Sequence, residues 1–564
     1  MKFVRDCLDV QIPTAGATYL VPAEARKPDI GPMITTFASR MESRVFNRNR
    51  DDAGAPPPPG PPVPLRLGRT VALGLLSTTA IVIGCLYGGG SFETHLPGAW
   101  FFGMPGGPLG SIGTSGAHPP LLAVFAVYGG LILFFRVWYV LLRHLRHNHG
   151  VPIRKIIIVV AIWSIPLLVA PPIFSRDVYS YAGQGEMVSH HIDPYIYGTG
   201  VLGSTPFSSM PDSVWTNTPS PYGPTFIALD GGLTTLSGHK ILPDIVLLRL
   251  LEIAGLALVI AATPTLARSL GRDPAEAILL GAGSPLALTS LIGGAHNDAL
   301  MIGLLLVGLA VAQRFGTVPG IVLCALAAGV KAPAALGVVF LGWVWAGAGA
   351  SFWRRVVHTL GAGVVALGTF ELITLVAGYG WGWLGNSTAA DQSFTFVTPI
   401  DGISRVLSDA AHLFDVHLTA LGLRDIFAVI GLVIAGLIGM WLLWRSPQDG
   451  LLRNLGLTLL VLAILSPILW AWYVMWGILV LAPTATGRLR SVVIFVGSFE
   501  LFVGATSLRG MYRTMTGTGL LPDLALVAAL VAISILPLHQ LPKARRHQNS
   551  TPKDDERTLL PIST

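Results

Sequence analysis

Charge is scarce in this chain: Asp, Glu, Lys and Arg make up 12% of its 564 residues, whereas 52% are hydrophobic. A soluble globular protein carries roughly a quarter charged residues, so the deficit indicates a surface solvated mostly by lipid. Cysteine is scarcer still. Cys7, Cys85 and Cys324 are scattered, two of them in apolar runs, and make neither a disulfide framework nor a metal site. The first 66 residues lack the apolar core of a cleavable signal peptide. No GxGxxG after a strand, Walker sequence, GxSxG or HExxH occurs in a suitable context, so the motifs give no sign of a nucleotide or metal cofactor. The net charge of +7 is no nucleic-acid footprint either, because no basic stripe with interleaved aromatics occurs.

What the chain has in quantity is apolar runs, and a membrane-crossing helix takes about 20 mostly apolar residues. Candidate spans lie near 69–89, 119–142, 154–174, 241–267, 276–293, 298–313 and 318–331. Others lie near 333–350, 355–378, 424–444, 452–467, 469–484, 490–507 and 519–538. The length rule predicts an all-α integral membrane protein with about 11–14 transmembrane helices, the shorter runs being open to miscounting. Residues 224–238 are apolar but short, and read as re-entrant or interfacial. The ends differ in kind: 1–66 is polar and closes on "APPPPGPPVP", and 541–564 contains "KARRHQ" and "PKDDER". Both read as disordered tails of a membrane domain at 67–540.

Cations set the orientation. Arg143, Arg146, Arg154, Lys155, Arg268, Arg272, Arg314, Arg354 and Arg355 fall in one set of loops, as do Arg445, Arg453, Arg488, Arg490 and the Lys543 cluster. The opposite loops, 90–118, 175–223, 294–297 and 379–423, hold only Arg176 and Arg405. Both tails are therefore expected in the cytoplasm and these four loops outside; Arg509 and Arg513 in 508–518 are the exception. Loops 175–223 and 379–423 exceed about 15 residues yet are rich in aromatics, so they are expected to be ordered and to carry short interfacial helices. An external site has no access to cytosolic nucleotides. A transferase there needs an activated donor already carried across the membrane.

The polar chemistry collects at these outer junctions. In "PPIFSRDVYSYAGQGEMVSHHIDPY" (171–195), Asp177 follows an apolar run and precedes Tyr179 and Tyr181. Helical spacing places Asp177, Tyr181 and Gln184 on one face. Asp177 reads either as a helix cap beneath a tyrosine belt or as a partly desolvated base framed by rings that stack on sugars. Asp193 is a second carboxylate in an Asp-Pro turn, and His190 and His191 have no evident ligand set. "SPYGP" (220–224) turns the chain back and presents Tyr222. In "GGAHND" (293–298), Asn297 or Asp298 reads as a cap, and His296 with Asp298 also suits an anion at a helix N-terminus. Lys331, in "LCALAAGVKAPAALGVVF", must snorkel, pair or bind a ligand such as a lipid phosphate. Arg405 is placed to meet an anionic headgroup. The aromatics of "SPILWAWYVMW" (466–476) read as belt, core or a platform for a sugar acceptor.

These segments carry a resemblance. "FSRDVYSYAGQG", "DPYIYG", "SPYGPTF", "GGAHNDALM", "GVKA" and the "WAWY" cluster resemble, in order and spacing over roughly 160–510, the polyprenyl-phosphomannose-dependent α-1,6-mannosyltransferases of actinobacterial cell envelopes. Asp298 stands where that family commonly has Glu. The resemblance implies a multi-pass plasma-membrane enzyme with a GT-C-like helical bundle and an extracytoplasmic active site. Its donor would be polyprenyl-phosphomannose and its acceptor a growing mannan glycolipid of the lipomannan or lipoarabinomannan type, with no metal or other cofactor. Transfer would be an inverting single displacement with Asp177 as base, while Asp193 holds acceptor hydroxyls or serves as base if Asp177 does not. Lys331, His296, Arg405 and Arg176 would meet the donor phosphate. Tyr179, Tyr181, Tyr222, Asn297, Asp298, Trp472 and Tyr473 would bind sugar and acceptor. The alternatives are a transferase using another lipid-linked sugar such as arabinose, and a transporter or flippase suggested by intramembrane Lys331, Arg249, Glu252 and Glu371. A transporter often shows two repeats with matching broken helices, and no clear repeat occurs here.

Overall fold

A computed structural model describes residues 67–504, apart from 93, 95–98, 101–103, 106–120, 149 and 387–397. The tails assigned to 1–66 and 541–564, most of loop 90–118, the centre of loop 379–423, loop 508–518 and the span at 519–538 lie outside the described residues.

The protein is an all-α membrane protein. It opens with α1 (Leu67–Gly88), α2 (Leu121–His147) and α3 (Ile153–Val169). Pro171 and Pro172 follow α3 and cannot prolong its hydrogen-bond ladder. Two helices too short to cross come next, α4 (Asp177–Ser189) and α5 (Pro224–Leu236). Then come α6 (Ile241–Ser269), α7 (Pro274–Leu280), capped by Asp273, and a segment Pro285–Gly293 that ends in a π-turn. The series continues with α8 (Asp298–Phe315), α9 (Thr317–Ala328), α10 (Ala335–Trp345) and α11 (Phe352–Ala377). It closes with α12 (Pro399–His412), α13 (Ala420–Asp449), α14 (Leu451–Leu465), α15 (Val474–Leu481) and α16 (Gly487–Phe499). The strand among the described residues is one two-residue antiparallel pair, Ala99–Trp100 with Met104–Pro105.

Among the described residues, six helices, α1, α2, α6, α8, α11 and α13, are long and apolar enough to cross a membrane, and a seventh crossing results if α7 and Pro285–Gly293, bent by 54°, act as one. The other apolar runs form shorter helices because the backbone breaks them. Gly316, at a φ of 110°, separates α8 from α9, and the Lys331–Pro333 turn separates α9 from α10. These breaks coincide with the gaps between the apolar runs at 298–313, 318–331 and 333–350. The helices they delimit, 12 residues in α9 and 11 in α10, are too short to cross alone, so the described residues carry fewer crossings than the roughly 11–14 expected.

Burial separates centre from rim. The apolar window of α8 is 56% buried, whereas those of α11 and α13 are 22% buried, so the latter present Leu, Val and Ile faces to lipid. Where α6 meets α8, a Cβ on Gly303 would stand 2.3 Å from the Gly255 carbonyl oxygen, so the backbones touch there. Main-chain and side-chain bonds stitch the short helices and loops together. The Ile173 amide donates to the Gly293 carbonyl at 3.0 Å and the Thr225 amide to the Gly329 carbonyl at 3.0 Å. The Leu469 amide donates to Thr398 Oγ1 at 2.9 Å, and Asn386 Nδ2 to the Tyr195 carbonyl at 2.9 Å and the Ser220 carbonyl at 3.2 Å.

Candidate active site

Asp177 stands at the first turn of α4, where the Ser175 hydroxyl accepts its amide hydrogen at 3.1 Å. Phe174 before it takes a φ of 63°, an uncommon conformation for a bulky residue that the surrounding structure has to enforce. The small residues of α4 let neighbours close round it, and every residue from Val178 to Met187 is buried. At Gly185 a Cβ would stand 2.2 Å from Thr234 Oγ1 on α5. The face that reaches open space is Asp177, Ser180 and Gln184, at i, i+3 and i+7.

The "GGAHND" segment meets Asp177 from the other side. Ala295, at a φ of 54°, leads into His296, whose Nε2 lies 3.8 Å from Asp177 Oδ2. The His296 Nδ1 hydrogen goes to the Ser290 carbonyl at 2.7 Å, and the ring stacks on Trp472 at 3.6 Å. Burial pushes this imidazole down to about 4, so it is neutral at physiological pH. No cation is thus supplied at that point, and burial of the Asp177 carboxyl outweighs the attraction of Lys331. Asp298 adds to the same effect, and the carboxyl is pushed up to about 7.

Lys331 is brought in by a backbone-on-backbone contact. The "SPYGP" turn docks on Gly329, where a Cβ on Gly223 would stand 2.5 Å from the Gly329 carbonyl oxygen. That approach sets Tyr222 beside Lys331. The ammonium donates to both Asp298 oxygens, at 3.0 and 3.1 Å, and Trp476 Nε1 donates to Asp298 Oδ1 at 2.5 Å. Lys331 Nζ stands 4.6 Å from the Tyr473 ring centre, 5.6 Å from Trp476 and 5.8 Å from Tyr222. An aromatic cage of this kind holds a cation without neutralising it.

Asp177 and Lys331 line one cavity of about 270 Å³, walled by Tyr222, Trp470, Tyr473 and Trp476. Leu432 of α13 lines it too, and that side chain is 44% exposed on the rim of the bundle. A larger cavity of about 1230 Å³ is bordered by Arg272, Arg453 and Arg488 but has no carboxylate in its lining. It supplies no base.

The remaining residues singled out in the sequence are placed elsewhere. Arg176 donates from Nε and Nη2 to the Met210 carbonyl, at 3.1 and 2.7 Å, and lies outside the cavity lining. Asp193 accepts the Tyr195 amide at 2.8 Å, closing an Asp-Pro turn away from the cavity. Tyr179 and Tyr181 are fully enclosed, the latter packed edge-on against Tyr222 and Phe226. Asn297 is wholly buried beside Asp298, so neither meets a sugar directly, and Asp298 instead anchors Lys331. Trp472 supports His296 rather than facing the cavity. Arg405 sits on α12, which packs against α13, and is not part of the lining. Intramembrane Arg249 donates to the carbonyls of Leu168, Ala170 and Gly293 and so pins the end of α3 to the π-turn. Sequence reasoning missed Ser180, Trp215, Ser466 and Trp470 as lining residues. Trp470 was within reach, since it alternates with Trp472 in the same aromatic run.

Comparison with known proteins bears on what this arrangement does. Residues 71–347 match the family described as "Alpha-(1->6)-mannopyranosyltransferase, N-terminal domain", and residues 403–537 match "MptB C-terminal domain". The chain is 35% identical over 347 residues to "Alpha-(1->6)-mannopyranosyltransferase A" of Mycobacterium tuberculosis, covering 60% of this chain and 66% of that one. A "Probable alpha-(1->6)-mannopyranosyltransferase" of Mycolicibacterium smegmatis is 27% identical over 93% of this chain and 99% of its own. "Alpha-(1->6)-mannopyranosyltransferase A" of Corynebacterium glutamicum is 30% identical over 55% of this chain and 66% of its own. No solved structure matches the chain.

Proposed function

The chain belongs to the alpha-(1→6)-mannopyranosyltransferase family and is a glycosyltransferase, and we propose that it moves mannose from a polyprenyl-phosphate donor to a growing α-1,6-mannan glycolipid. The reading places the reaction on the extracytoplasmic side of the plasma membrane, in a GT-C-type bundle, with acceptors of the lipomannan or lipoarabinomannan type. The observation that carries it is the joint presentation of Asp177 and the caged Lys331 to one aromatic-walled cavity.

The acceptor hydroxyl attacks the anomeric carbon of a β-linked donor. Its proton passes to Asp177 as the new glycosidic C–O bond forms, and the bond from the anomeric carbon to the phosphate oxygen breaks. The sugar leaves inverted, as an α-linkage, and polyprenyl phosphate departs. Two hydrogens of the Lys331 ammonium are engaged by Asp298, which leaves one for the phosphate. A fixed cation in a partly dry cavity stabilises the leaving-group charge without reorganisation, so the scheme has no step that needs a divalent ion. Tyr222, Trp470 and Tyr473 offer faces for pyranose rings, and the exposed Leu432 wall supports sideways entry of the lipid tail.

Mannose transfer from polyprenyl-phosphomannose by membranes carrying Asp177→Asn, with expression matched to wild type, tests the reading. A positioned base contributes roughly 10²–10⁴-fold, and a loss of that order is expected. Unchanged turnover would remove Asp177 as the base.

A further inference from the structure

A second polar cluster lies at the other end of α4. Glu186 Oε1 is 3.1 Å from His190 Nε2, and Glu186 Oε2 is 2.9 Å from His239 Nδ1. One carboxylate thus holds two imidazoles that stand 49 positions apart in sequence, and the three ligand atoms lie within 4.8 Å of one another. The histidines look out while the acid is nearly enclosed: their side chains are 56% and 44% exposed, against 11% for Glu186. No ligand set for His190 is evident along the chain because the second imidazole arrives from the turn between α5 and α6.

The backbone beneath the cluster favours a cation. At the end of α4, the Ile192 amide donates to the Met187 carbonyl and the His191 amide to the Val188 carbonyl, with His191 at a φ of 59°. At the end of α5, the His239 amide donates to the Thr234 carbonyl and the Gly238 amide to the Thr235 carbonyl, with Gly238 and His239 at 66° and 59°. Both patterns are Schellman closures, so two helix C-termini, each the negative end of a macrodipole, come together at the same three side chains. The left-handed backbone of two histidines, His191 and His239, is uncommon for non-glycine residues and has to be enforced by the surrounding structure.

We propose that Glu186, His190 and His239 form a binding site for a borderline transition-metal cation, Zn²⁺ by preference, with water in the fourth position. Two imidazole nitrogens and one carboxylate oxygen are a zinc donor set with an open site, and hard Mg²⁺ or Ca²⁺ would take oxygen donors instead. A metal-bound ring turns an unprotonated nitrogen to the ion and carries its hydrogen on the opposite nitrogen. Along α4, Glu186 stands roughly 13 Å from Asp177, too far for the ion to take part in sugar transfer. Its effect is structural: it ties the α5–α6 turn to the helix that begins at Asp177. The inference does not depend on the proposed transfer reaction.

Full-length, untagged protein in detergent, stripped with chelator and dialysed against ZnCl₂, tests the site by metal analysis and thermal unfolding. Wild type is expected to retain one Zn²⁺ per chain above background and to melt at a higher temperature with Zn²⁺ than without. The variant His190→Gln/His239→Asn keeps polar side chains and, through Asn, tolerates the left-handed turn. It is expected to lose both the bound metal and the Zn²⁺-dependent shift while melting near stripped wild type. Each single variant should weaken binding by roughly tenfold or more. Failure of wild type to retain Zn²⁺, or equal retention by the double variant, would overturn the site.

Discussion

Asp177 joins two properties that pull against each other: a carboxyl pushed up to about 7, and, in the proposed reaction, a role as base that needs its ionised form. For the free enzyme, kcat/KM is therefore expected to fall as pH drops through about 7, and a profile flat from pH ~5 to 8 would contradict this. The stability sign is opposite. The folded value lies above the ordinary carboxyl value of 3.8, so relative stability from the neutral form is fully present below that value and is lost as pH rises through about 7. Asp177→Asn removes the cost of burying charge, so its melting temperature should exceed that of wild type at pH ~8 and converge with it near pH ~4, a difference worth a few kcal/mol. Lys331 gives a second test. Lys331→Ala leaves Asp298 as an uncompensated buried charge, expected to cost about 3–5 kcal/mol and to weaken donor use more than acceptor use. Lys331→Met/Asp298→Asn should regain melting temperature but not transfer; recovery of both would separate the cation from the phosphate. Asp177 and Lys331 were legible because isolated ionisable groups beside apolar runs demand a reason. The anchoring role of Asp298 and the neutral state of His296 were not, since each depends on a partner at least 30 residues away or on enclosure by other elements.

At the scale of elements, the helices themselves were legible from apolar runs, and so was the short α5. Helix faces were less so: Asp177 and Gln184 reach the cavity as spacing suggested, but Ser180 takes the place expected for Tyr181, because the Tyr222 and Phe226 rings enclose that tyrosine. The breaks at Gly316 and at Lys331–Pro333 were legible as gaps between apolar runs, but no local pattern records that "SPYGP" would dock on "GVKA". That docking is testable. Gly223→Val puts side-chain atoms against the Gly329 backbone, which cannot give way as a flexible side chain would. Overpacking of this type costs about 1–3 kcal/mol, and the displaced turn carries Tyr222 away from Lys331. The expected result is a fall in melting temperature with a rise in donor KM. Gly232→Val, on the exposed side of α5 where a Cβ meets nothing within 4 Å, is the control and should leave donor KM unchanged.

For the molecule as a whole, the distribution of cations gives the expectation that loop 175–223 faces outward. In a Cys7→Ser background, with Cys85 and Cys324 buried, a cysteine at the exposed Tyr197 should react with a membrane-impermeant maleimide on intact cells. Labelling only after lysis would place the cavity in the cytosol and deprive the proposed reaction of its donor. Which apolar faces meet protein and which meet lipid was not readable from hydropathy, as the contrast between α8 and α13 shows: both runs are apolar, and only three-dimensional enclosure separates them. Leu432 belongs to both worlds, since it borders the cavity of Asp177 and Lys331 and the oily outer rim. In the proposed reaction a carrier tail need therefore never be swallowed whole; only its head would turn inward, while the mannan would arrive from water. Both reactants can then be seated together, and neither has to depart before the other arrives. Plots of reciprocal velocity against reciprocal donor at several acceptor levels should meet at a point, whereas parallel lines would mean that the sugar rests on the protein between half-reactions.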